Sequence, residues 1–583
     1  MTKAKIGLEI HQRLDTGKLF CKCQSKIKEE KGINFVYREL NLTQSEIGEI
    51  DKAALMQLSK GTGFYYFGLD DICLVELDEE PPLKVNKNAL LMAINTALQM
   101  EMDIVDAIIF MRKIIIDGSN TSGFQRTALI GLNGKILVKG KYFNISTLNL
   151  EEESAGIIDE NVFDLKRLGI PLLEISTYPE IENGKDARDV AETIGLMLRT
   201  LPYTARGIGT IRQDLNISIE GGARVEIKGA QELNMLEKWI NNEIKRQEDL
   251  IIILQERKKR EIKEAIDKVV DATETFLSYE HDLATFIKEA LKRNEKVFIA
   301  RAKKHKGLLS MKCGERRYGS ELADHARLYG LKGLIHSDEN LEKYGINKEL
   351  VIEINKILEL SEDDAFIILV GKEDIVKKAM EAVKERASMD FVPSETRKAL
   401  PDGNTCFLRP LPGKARLYPE TDIPYIIVDE ELKKEALSIA ESFYKKVERL
   451  EKMLNKELAY KILKGKHLFL FEELSNFIDP VIVAVTLEDT ITKIKRERNI
   501  EIDEDNIKKA LMMYKDGKIT KKAIEEAMVM LQNGENEEEI IKKIGKMSKE
   551  EIIKIYKEIK DKKEILKKYS LRIDAKDLEE ILT

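Results

Sequence analysis

Cysteines and long apolar stretches are both scarce in this sequence. Its five cysteines are irregularly spaced over 583 residues, which is not the pattern of a secreted protein held together by disulfides. No run reaches the roughly 18 apolar residues that a membrane-spanning helix needs. The opening residues, MTKAKIGLEI, lack the apolar core of a secretory signal. We therefore expect a protein of the reducing cytoplasm that does not span a membrane.

Common catalytic signatures and a strong net charge are also missing. The sequence has no G-x-x-x-x-G-K-[ST], HExxH or G-x-S-x-G, so a nucleotide would not be held by a Walker A loop and no hydrolase motif is present. The 96 lysines and arginines nearly balance the 103 aspartates and glutamates, leaving a net charge of -7. An RNA partner would therefore have to bind at local basic surfaces.

The length and the hydrophobic periodicity predict several domains. At roughly 150 residues per domain the chain has material for about four. Short β-rich runs broken by glycine precede a helical pattern that starts near Leu233, and a second mixed region of helices and strands follows. After a proline-rich stretch, the sequence from about Glu431 has helical spacing. The fold class predicted is a multidomain α+β protein with an all-α C-terminal region.

The segment Gly7-Leu8-Glu9-Ile10-His11 places a carboxylate and an imidazole two residues apart. In a β-strand, Glu9 and His11 project from the same face, opposite the apolar side chains. This pair suits a divalent metal or acid–base chemistry. The alternative is a polar strand face with a surface histidine.

Two further strands are predicted to meet at Gly221-Gly222. One face carries Arg212, Asp214, Asn216 and Ser218 on the first strand and Arg224, Glu226 and Lys228 on the second. A two-residue turn would mix apolar and charged faces, whereas a loop of odd length, such as three residues, aligns the polar rows. We therefore predict the odd loop. The resulting patch suits Mg²⁺ and phosphate, and its alternative is a solvated face with cross-strand ion pairs.

Other polar clusters occur in the same N-terminal region. Glu151-Glu152-Glu153 precede a small-residue segment, and Glu174 lies in the apolar run PLLEIS, where an unpaired carboxylate would be costly to bury. The loop Asp117–Gly123, followed by Gln125 and Arg126, is rich in small hydrogen-bonding groups. It could hold a phosphate or a carboxylate, or it could be an ordinary turn.

Three cysteines could contribute to a metal site. Cys21, Cys23 and Cys73 offer three sulfur ligands, no fourth cysteine is near, and Glu76 is a possible oxygen ligand. The alternative is a group of free, buried thiols.

Five motifs between Gly7 and Lys228 carry a family resemblance: GLEIH, EEESAG, DLKRLGIPLLEIS, GTIRQDLNIS and RVEIK. In this order they resemble the GatB/GatE family, the kinase/transferase subunits of tRNA-dependent amidotransferases. ARLYPETDIP, at Ala415 to Pro424, resembles the piece that closes the family's catalytic cradle. GERRYGSELADHARLYGLKGLI resembles the insertion domain of bacterial-type aspartyl-tRNA synthetases, which marks the archaeal E-type branch of the family.

The resemblance implies a mixed β-sheet cradle, an α+β insertion and all-α helical and tail domains. The limits expected are 1–270 for the first part of the cradle, 271–400 for the synthetase-like insertion, 401–430 for the closing cradle segment, 431–510 for the helical domain and 511–583 for the tail.

The resemblance also implies a ligase reaction. The expected enzyme uses ATP and Mg²⁺ to phosphorylate the γ-carboxyl of glutamate misacylated onto tRNA(Gln), and ammonia then displaces the phosphate to give Gln-tRNA(Gln). An asparaginase-like D subunit would supply the ammonia, so a hetero-oligomer is expected. The alternatives are a B-type subunit working with an amidase partner, and a non-catalytic tRNA-binding protein.

By the same resemblance, each candidate residue receives an expected role. The metal-binding residues are Glu9, His11, Glu152 or Glu153, and Glu174, with Asp214 and Glu226 as further ligands. The catalytic set is His11, Glu152, Glu153, Glu174, Arg212 and Lys228; Arg212, Arg224 and Lys228 would neutralise the transferred phosphate. Nucleotide or the glutamyl-adenosine end would contact Ser119, Asn120, Thr121, Gln125, Arg126 and Arg224. Only Cys73 remains of the second C-x-x-C of bacterial B subunits, and this departure argues against a structural zinc.

Overall fold

A computed structural model describes residues 3–25, 34–44, 48–50, 55, 63–411 and 416–582. It separates into two compact units, one of Met1–Gly195 with Tyr203–Ile439 and one of Leu196–Pro202 with Ala440–Thr583. Ala415, the first residue of the proposed closing motif, lies outside the described residues.

A large mixed sheet dominates the first unit. Across the described part of the chain its strands follow the order Thr405–Pro410, Glu395–Ala399, Val225–Lys228, Ile211–Ile219, Ala4–Arg13, Pro171–Thr177, Lys141–Glu152, Phe124–Val138, Phe110–Ile114 and Leu417–Pro419, with Asp103–Ile104 pairing beside Phe124–Val138. The first strand of the chain, Ala4–Arg13, pairs with a strand on each side, and it buries Ile6, Leu8 and Ile10 on one face. Its polar residues therefore project together from the other face.

The hairpin after Ile211 has the predicted odd register. Asn216 is directly opposite Glu226, and Ile217 is opposite Val225. This is the register that a three-residue loop would give, and it keeps apolar residues opposite apolar ones. The prediction that the two polar rows align is confirmed.

Smaller sheets accompany the large one. One contains Phe35–Glu39, Gly63–Phe67, Val162–Asp164 and Gly156–Asp159, and another contains Ile266–Asp271, Lys296–Ala302, Ala365–Gly371 and Ile335–His336. Two short pairs join Lys312–Cys313 to Arg316–Arg317 and Ala107–Ile108 to Ile426–Ile427. The sheet that begins at Ile266 has its own apolar cores on both faces. This suits a separate α+β module that is inserted in sequence between the paired strands Val225–Lys228 and Glu395–Ala399.

The helices preceding residue 440 cover these sheets. The α-helices are Lys87–Gln99, Gly184–Arg199, Leu236–Lys259, Thr273–Ser278, Thr285–Lys292, Tyr318–Arg327, Lys348–Leu358, Glu373–Ser388 and Glu430–Ile439. Short 3₁₀ turns occur at Leu69–Asp71, Leu165–Arg167, Leu233–Met235 and Leu341–Tyr344. Local sequence explains several starts: Asn86 and Asn347, for example, accept hydrogen bonds from the first turns of the helices that follow them.

The second unit is helical throughout its described elements. They are Phe443–Met453, Lys456–Lys464, Leu468–Leu474, Pro480–Val485, the π-helical turn Thr486–Thr490, Ile491–Arg498, Glu504–Lys515, the 3₁₀ turn Lys521–Ala523, Ile524–Gln532, Glu537–Ile544, Lys549–Ile559, Lys562–Lys568 and Ala575–Leu582. Capping boxes at Asn536 and Ser548 start two of these helices.

The predicted fold class is therefore confirmed at the level of a multidomain α+β protein with a helical C-terminal region. The finer domain limits and labels stay predictions. Among the described helices, none combines the length and the apolar composition that crossing a bilayer requires.

Candidate functional site

Three carboxylates surround His11 on the polar face of the large sheet. Nε2 of His11 lies 3.3 Å from Oε2 of Glu174, 3.6 Å from Oε1 of Glu9 and 3.6 Å from Oε1 of Glu151. The side chains of His11 and Glu174 are only 14% and 12% exposed. Together with Lys113, these residues form what we call the His11 cluster.

Strand pairing produces this cluster. His11 and Glu174 are directly opposite each other on antiparallel strands, so their side chains leave the same face at the shortest cross-strand distance. Lys113 Nζ lies 2.9 Å from Glu151 Oε2 and 3.5 Å from Glu174 Oε2. Asn149 donates to Glu174 Oε1 at 2.8 Å. The apolar run around Glu174 thus carries a carboxylate that has three polar partners.

The close charges shift the ionisation of the cluster. Burial lowers the pKa of His11, but its hydrogen bond with Glu174 and the surrounding carboxylates outweigh burial and raise this pKa to about 9. Burial, followed by the charge of Glu174, raises the pKa of Glu9 to about 7. Burial also raises the pKa of Glu174, but Lys113 and His11 more than reverse this and hold it well below its usual range.

A second acidic group adjoins the first and shares Glu9. One carboxylate oxygen each from Glu9, Asp214 and Glu226 can be chosen so that all lie within 4.8 Å of one another, and the same holds for ligand atoms of Glu9, His11 and Glu174. Glu9 and Asp214 are directly opposite on paired strands. Several carboxylates and one imidazole fit Mg²⁺, which prefers oxygen ligands. Two neighbouring cation sites that share Glu9 are therefore geometrically compatible with this face.

Lys228 balances the second group. Its Nζ lies 2.8 Å from Asp214 Oδ2 and 2.7 Å from Glu226 Oε1. Burial lowers the pKa of Lys228, but Asp214, Glu226 and Glu9 reverse this and raise the pKa above its ordinary value. The ammonium group of Lys228 therefore stays charged among the carboxylates. This combination of carboxylates and a cation is the one that the sequence predicted for phosphate chemistry.

Glu153 lies in a different environment, among arginines. Its side chain is fully buried, with Arg13 at 3.0 Å and Arg212 at 3.3 Å, and it also accepts from Arg167. Arg212 is directly opposite His11 across the strand pair and therefore links this group to the edge of the His11 cluster. The carboxylate of Glu153 therefore already contacts three guanidinium groups.

Glu152 projects from the opposite side of its strand to Glu151. It accepts from the backbone N–H of Arg126 at 3.2 Å and lies 3.4 Å from the Arg126 guanidinium. Asn120, Thr121 and Arg126 line a small pocket with Glu152. Arg126 also pairs with Glu420 at 2.7 Å, a residue that the sequence analysis did not single out.

The remaining nucleotide candidates, Ser119, Gln125 and Arg224, lie in three different places. Gln125 is directly opposite Lys113 and so belongs to the face of the His11 cluster. Its side-chain amide donates to the backbone carbonyl of Glu152 at 2.5 Å. The Ser119 hydroxyl donates to Asp117 at 2.6 Å. Arg224 makes no ion pair within 4.0 Å to any described residue, and it is not brought into either acidic group.

The sequence analysis missed Lys113 and Asn149, and it named Glu151 only as part of the three-glutamate run and gave it no role. Alternation along Lys141–Glu152 could have identified two of them, because Asn149 and Glu151 are two residues apart and share the face of Glu174. A run of three glutamates does not by itself reveal which one the strand turns toward the cluster. Lys113 had no local signal, since its partners are distant in the sequence.

The predicted cysteine group does come together. Cys21 and Cys73 each donate a thiol hydrogen bond of 2.9 Å to Glu76, and Cys23 lies in the same group. Burial and the neighbouring Glu76 raise the pKa of Cys73 to about 11. Lys18 lies 3.0 Å from Glu76. Three sulfurs and one carboxylate are a donor set that zinc accepts, so the group fits a structural zinc better than the cysteine count suggests.

Comparison with known proteins agrees with the motif order. Residues 4–434 match the sequence profile of the GatB/GatE catalytic domain. The glutamyl-tRNA(Gln) amidotransferase E subunit of Methanocaldococcus jannaschii is 44% identical over 544 residues, which cover 90% of this chain and 85% of that protein. The protein of the same name from Pyrococcus furiosus is 42% identical, covering 95% of this chain and 90% of that protein.

A third relative extends the similarity over almost the whole length. The glutamyl-tRNA(Gln) amidotransferase E subunit of Sulfurisphaera tokodaii is 41% identical, covering 99% of this chain and 98% of that protein. The profile match includes all strands of the two acidic groups and the cysteine group. The chain therefore belongs to the GatB/GatE family.

Proposed function

We propose that this chain is the kinase and transamidase subunit of an amidotransferase that converts Glu-tRNA(Gln) to Gln-tRNA(Gln). Its family and the shared name of its relatives support an amidotransferase. The observation that carries the mechanism is the His11 cluster with the adjoining Asp214 and Glu226, because a buried group of carboxylates with interleaved cations suits phosphoryl transfer.

The proposed chemistry has two balanced steps. A γ-carboxylate oxygen of the tRNA-bound glutamate attacks the γ-phosphorus of ATP, so the bond to the β-phosphate oxygen breaks and ADP leaves. Ammonia then attacks the acyl carbon, inorganic phosphate departs with the former carboxylate oxygen, and the ammonium proton is lost to solvent. The product is the side-chain amide of Gln-tRNA(Gln).

Glu9, His11, Glu174, Asp214 and Glu226 are the residues that would hold Mg²⁺. When bound, the cation offsets the negative charge of the nucleotide phosphates. His11 would have to be neutral to bind the cation. A ring bound through Nε2, the nitrogen nearest to all three carboxylates, would exchange its contact with Glu174 for one with the cation.

Cations of the same face would stabilise the transferred phosphate. Lys228 and Arg212 flank the two acidic groups, and Lys113 adds a buried ammonium beside Glu151 and Glu174. Fixed charges of this kind stabilise the phosphoryl group without reorganisation. Burial of the cluster also keeps water from the acyl phosphate.

Among the six expected nucleotide contacts, all of which lie outside the acidic groups, Gln125 is the best placed. It shares the face of Lys113, whereas Arg126 is paired with Glu420 and the Thr121 hydroxyl donates to the carbonyl of Glu76. We assign Gln125 to the ATP phosphates or the glutamyl-adenosine end. Ser119, Asn120, Thr121 and Arg126 would border that site through the adjoining loop and pocket.

The proposal also includes a partner and a compartment. The reaction needs ammonia, and we propose an asparaginase-like D subunit as its source within a hetero-oligomer. The tRNA substrate places the complex in the cytoplasm, where the thiols of the cysteine group would remain reduced.

ADP formation tests the proposal. The purified chain should form ADP from ATP only when Glu-tRNA(Gln) is present, and hydroxylamine should trap a γ-hydroxamate when no ammonia donor is added. Tight binding of Glu-tRNA(Gln) without ADP formation, alone or with its native partner, would support the non-catalytic alternative. Recovery of the native complex with an amidase-like partner would support the B-type alternative.

A further inference from the structure

A threonine outside the two acidic groups supports one of their carboxylates. Thr396 lies on the strand Glu395–Ala399, in parallel register with Glu226 on Val225–Lys228. Its hydroxyl donates to Glu226 Oε2 at 3.0 Å, and the residue is completely buried. Glu226 Oε1 faces Lys228, so the two oxygens of this carboxylate have different fixed partners.

The two neighbours of Thr396 point to the other face of the sheet and enter a buried ionic network. Arg397 donates to both carboxylate oxygens of Glu321, at 2.8 and 3.0 Å, and to the Thr405 hydroxyl at 2.7 Å. It also pairs with Glu395 on its own strand. Arg397, Glu321 and Glu395 are each at most 1% exposed, so this strand cannot shift without disturbing desolvated charges.

A helix of the intervening segment supplies the opposing carboxylate. Glu321 lies on the helix Tyr318–Arg327, which comes in sequence between the paired strands Val225–Lys228 and Glu395–Ala399. Arg246, on Leu236–Lys259, donates to Glu321 at 2.8 Å and makes a bidentate pair with Glu243. The network therefore connects the strand that carries Thr396 to two helices, Leu236–Lys259 and Tyr318–Arg327, and to the strand Thr405–Pro410.

We propose that Thr396 is a positioning residue for Glu226, and that the Arg397–Glu321 pair couples the intervening segment to the acidic groups through this threonine. The inference rests on the proposed metal-binding role of Glu226. Breaking a buried pair leaves an uncompensated charge, and the strand then relaxes. Because the hydroxyl fixes one oxygen of a ligand carboxylate, its loss should weaken cation binding, as the loss of other supporting groups does.

Binding of Mn²⁺ to the full chain, followed by the electron paramagnetic resonance signal of free Mn²⁺, tests this coupling without relying on turnover. Thr396→Val should weaken Mn²⁺ binding by roughly tenfold, while Thr396→Ser, which keeps the hydroxyl, should bind like the unsubstituted chain. Both variants should retain the melting temperature of the metal-free chain within a few degrees. Equal Mn²⁺ affinity for the Val and Ser variants would overturn the positioning role.

Two further variants separate the coupling from the metal assignment. Glu321→Gln should weaken Mn²⁺ binding, and it should add little further loss in the Thr396→Val background because both act through one hydroxyl. Full additivity would contradict the coupling. If Glu321→Gln does not fold, Arg397→Lys, which keeps the charge but loses the two-pronged geometry, takes its place.

Glu226→Gln is the reference for the proposed function itself. If this variant binds Mn²⁺ normally, the metal assignment fails together with the inference. If it loses Mn²⁺ binding while Thr396→Val does not, the metal assignment stands and only the positioning role is wrong.

Discussion

His11 and Glu174 occupy directly opposed positions on neighbouring antiparallel strands, with 3.3 Å between His11 Nε2 and Glu174 Oε2. The pair is formed by residues far apart in sequence and is held by strand register rather than by a loop. Because the strand register fixes both residues, these proposed metal ligands are in position before substrate arrives. Charge stabilisation in phosphoryl transfer requires such preorganisation.

Removing either member of this pair should stop phosphorylation and leave ammonia production intact. We expect His11→Ala and Glu174→Ala each to lower Glu-tRNA(Gln)-dependent ADP formation by roughly 100-fold or more, since both alter the proposed metal site. The partner's amidohydrolase activity should change little. Glu160→Ala, at an exposed position of the same unit, is the matched control. Near-normal Gln-tRNA(Gln) synthesis by both variants would contradict the assignment.

The three consecutive glutamates should respond differently to substitution. Glu151→Gln should lower turnover and raise the Mg²⁺ concentration needed for half-maximal activity, because Glu151 faces His11 and Lys113. Glu153→Gln should instead reduce stability by about 3–5 kcal/mol, because a buried carboxylate that neutralises arginines is lost. Urea unfolding and Mg²⁺ titration separate the two effects. A stable, inactive Glu153→Gln variant would show that Glu153 acts in catalysis.

The pKa shifts of Glu9 and His11 predict how stability depends on pH in the metal-free chain. The folded chain raises the pKa of Glu9 from 4.5 to about 7 and that of His11 from 6.5 to about 9. The folded state therefore binds more protons than the unfolded state between pH 4.5 and about 7 at Glu9, and between pH 6.5 and about 9 at His11. Over these two pH ranges the free energy of unfolding falls as pH rises. The contribution of His11 is complete below pH 6.5 and is lost through about pH 9.

Thermal unfolding in the presence of a chelator checks this sign. The melting temperature should fall between pH 6.5 and 9, and His11→Asn should flatten that part of the profile. His281→Asn, at an exposed histidine, should leave the profile unchanged. A melting temperature that rises across this window in the unsubstituted chain, with the rise abolished by His11→Asn, would contradict the predicted charge state of His11.

Lysines near the C-terminus offer a local basic surface for tRNA. Lys562, Lys563 and Lys567 are exposed and have no ion pair within 4.0 Å among the described residues. Reversing all three to glutamate should raise the KM for tRNA and flatten its salt dependence by roughly one logarithmic unit per lost phosphate contact, while turnover at saturation stays nearly constant.

The matched control reverses three lysines of the same unit that are already paired. Lys452, Lys461 and Lys543 each have an acidic partner, at 2.7, 3.1 and 2.7 Å. This triple substitution changes the net charge equally but should affect the KM for tRNA less. Equal effects of the two triples would mean that net charge, not this surface, governs tRNA binding.

Strand alternation was enough to predict much of the acidic face. It placed Glu9 beside His11 and fixed the register of the hairpin that carries Asp214 and Glu226. It did not show that Glu151 belongs to the site. In a run of three glutamates, the sequence does not tell which side chain projects from which face until the end of the strand is known. The Arg397–Glu321 pair joins residues 76 positions apart, and only tertiary structure could bring these charges together.

Transfer of an oxygen isotope tests the central claim most directly. If Glu-tRNA(Gln) is prepared with ¹⁸O in both γ-carboxylate oxygens, activation through a γ-glutamyl phosphate requires one ¹⁸O to appear in inorganic phosphate for each Gln-tRNA(Gln) formed. We expect that one-to-one transfer, detected by mass spectrometry of the released phosphate, with the complete complex and ATP. Amide formation with ¹⁸O in AMP, or with unlabelled phosphate, would contradict the account.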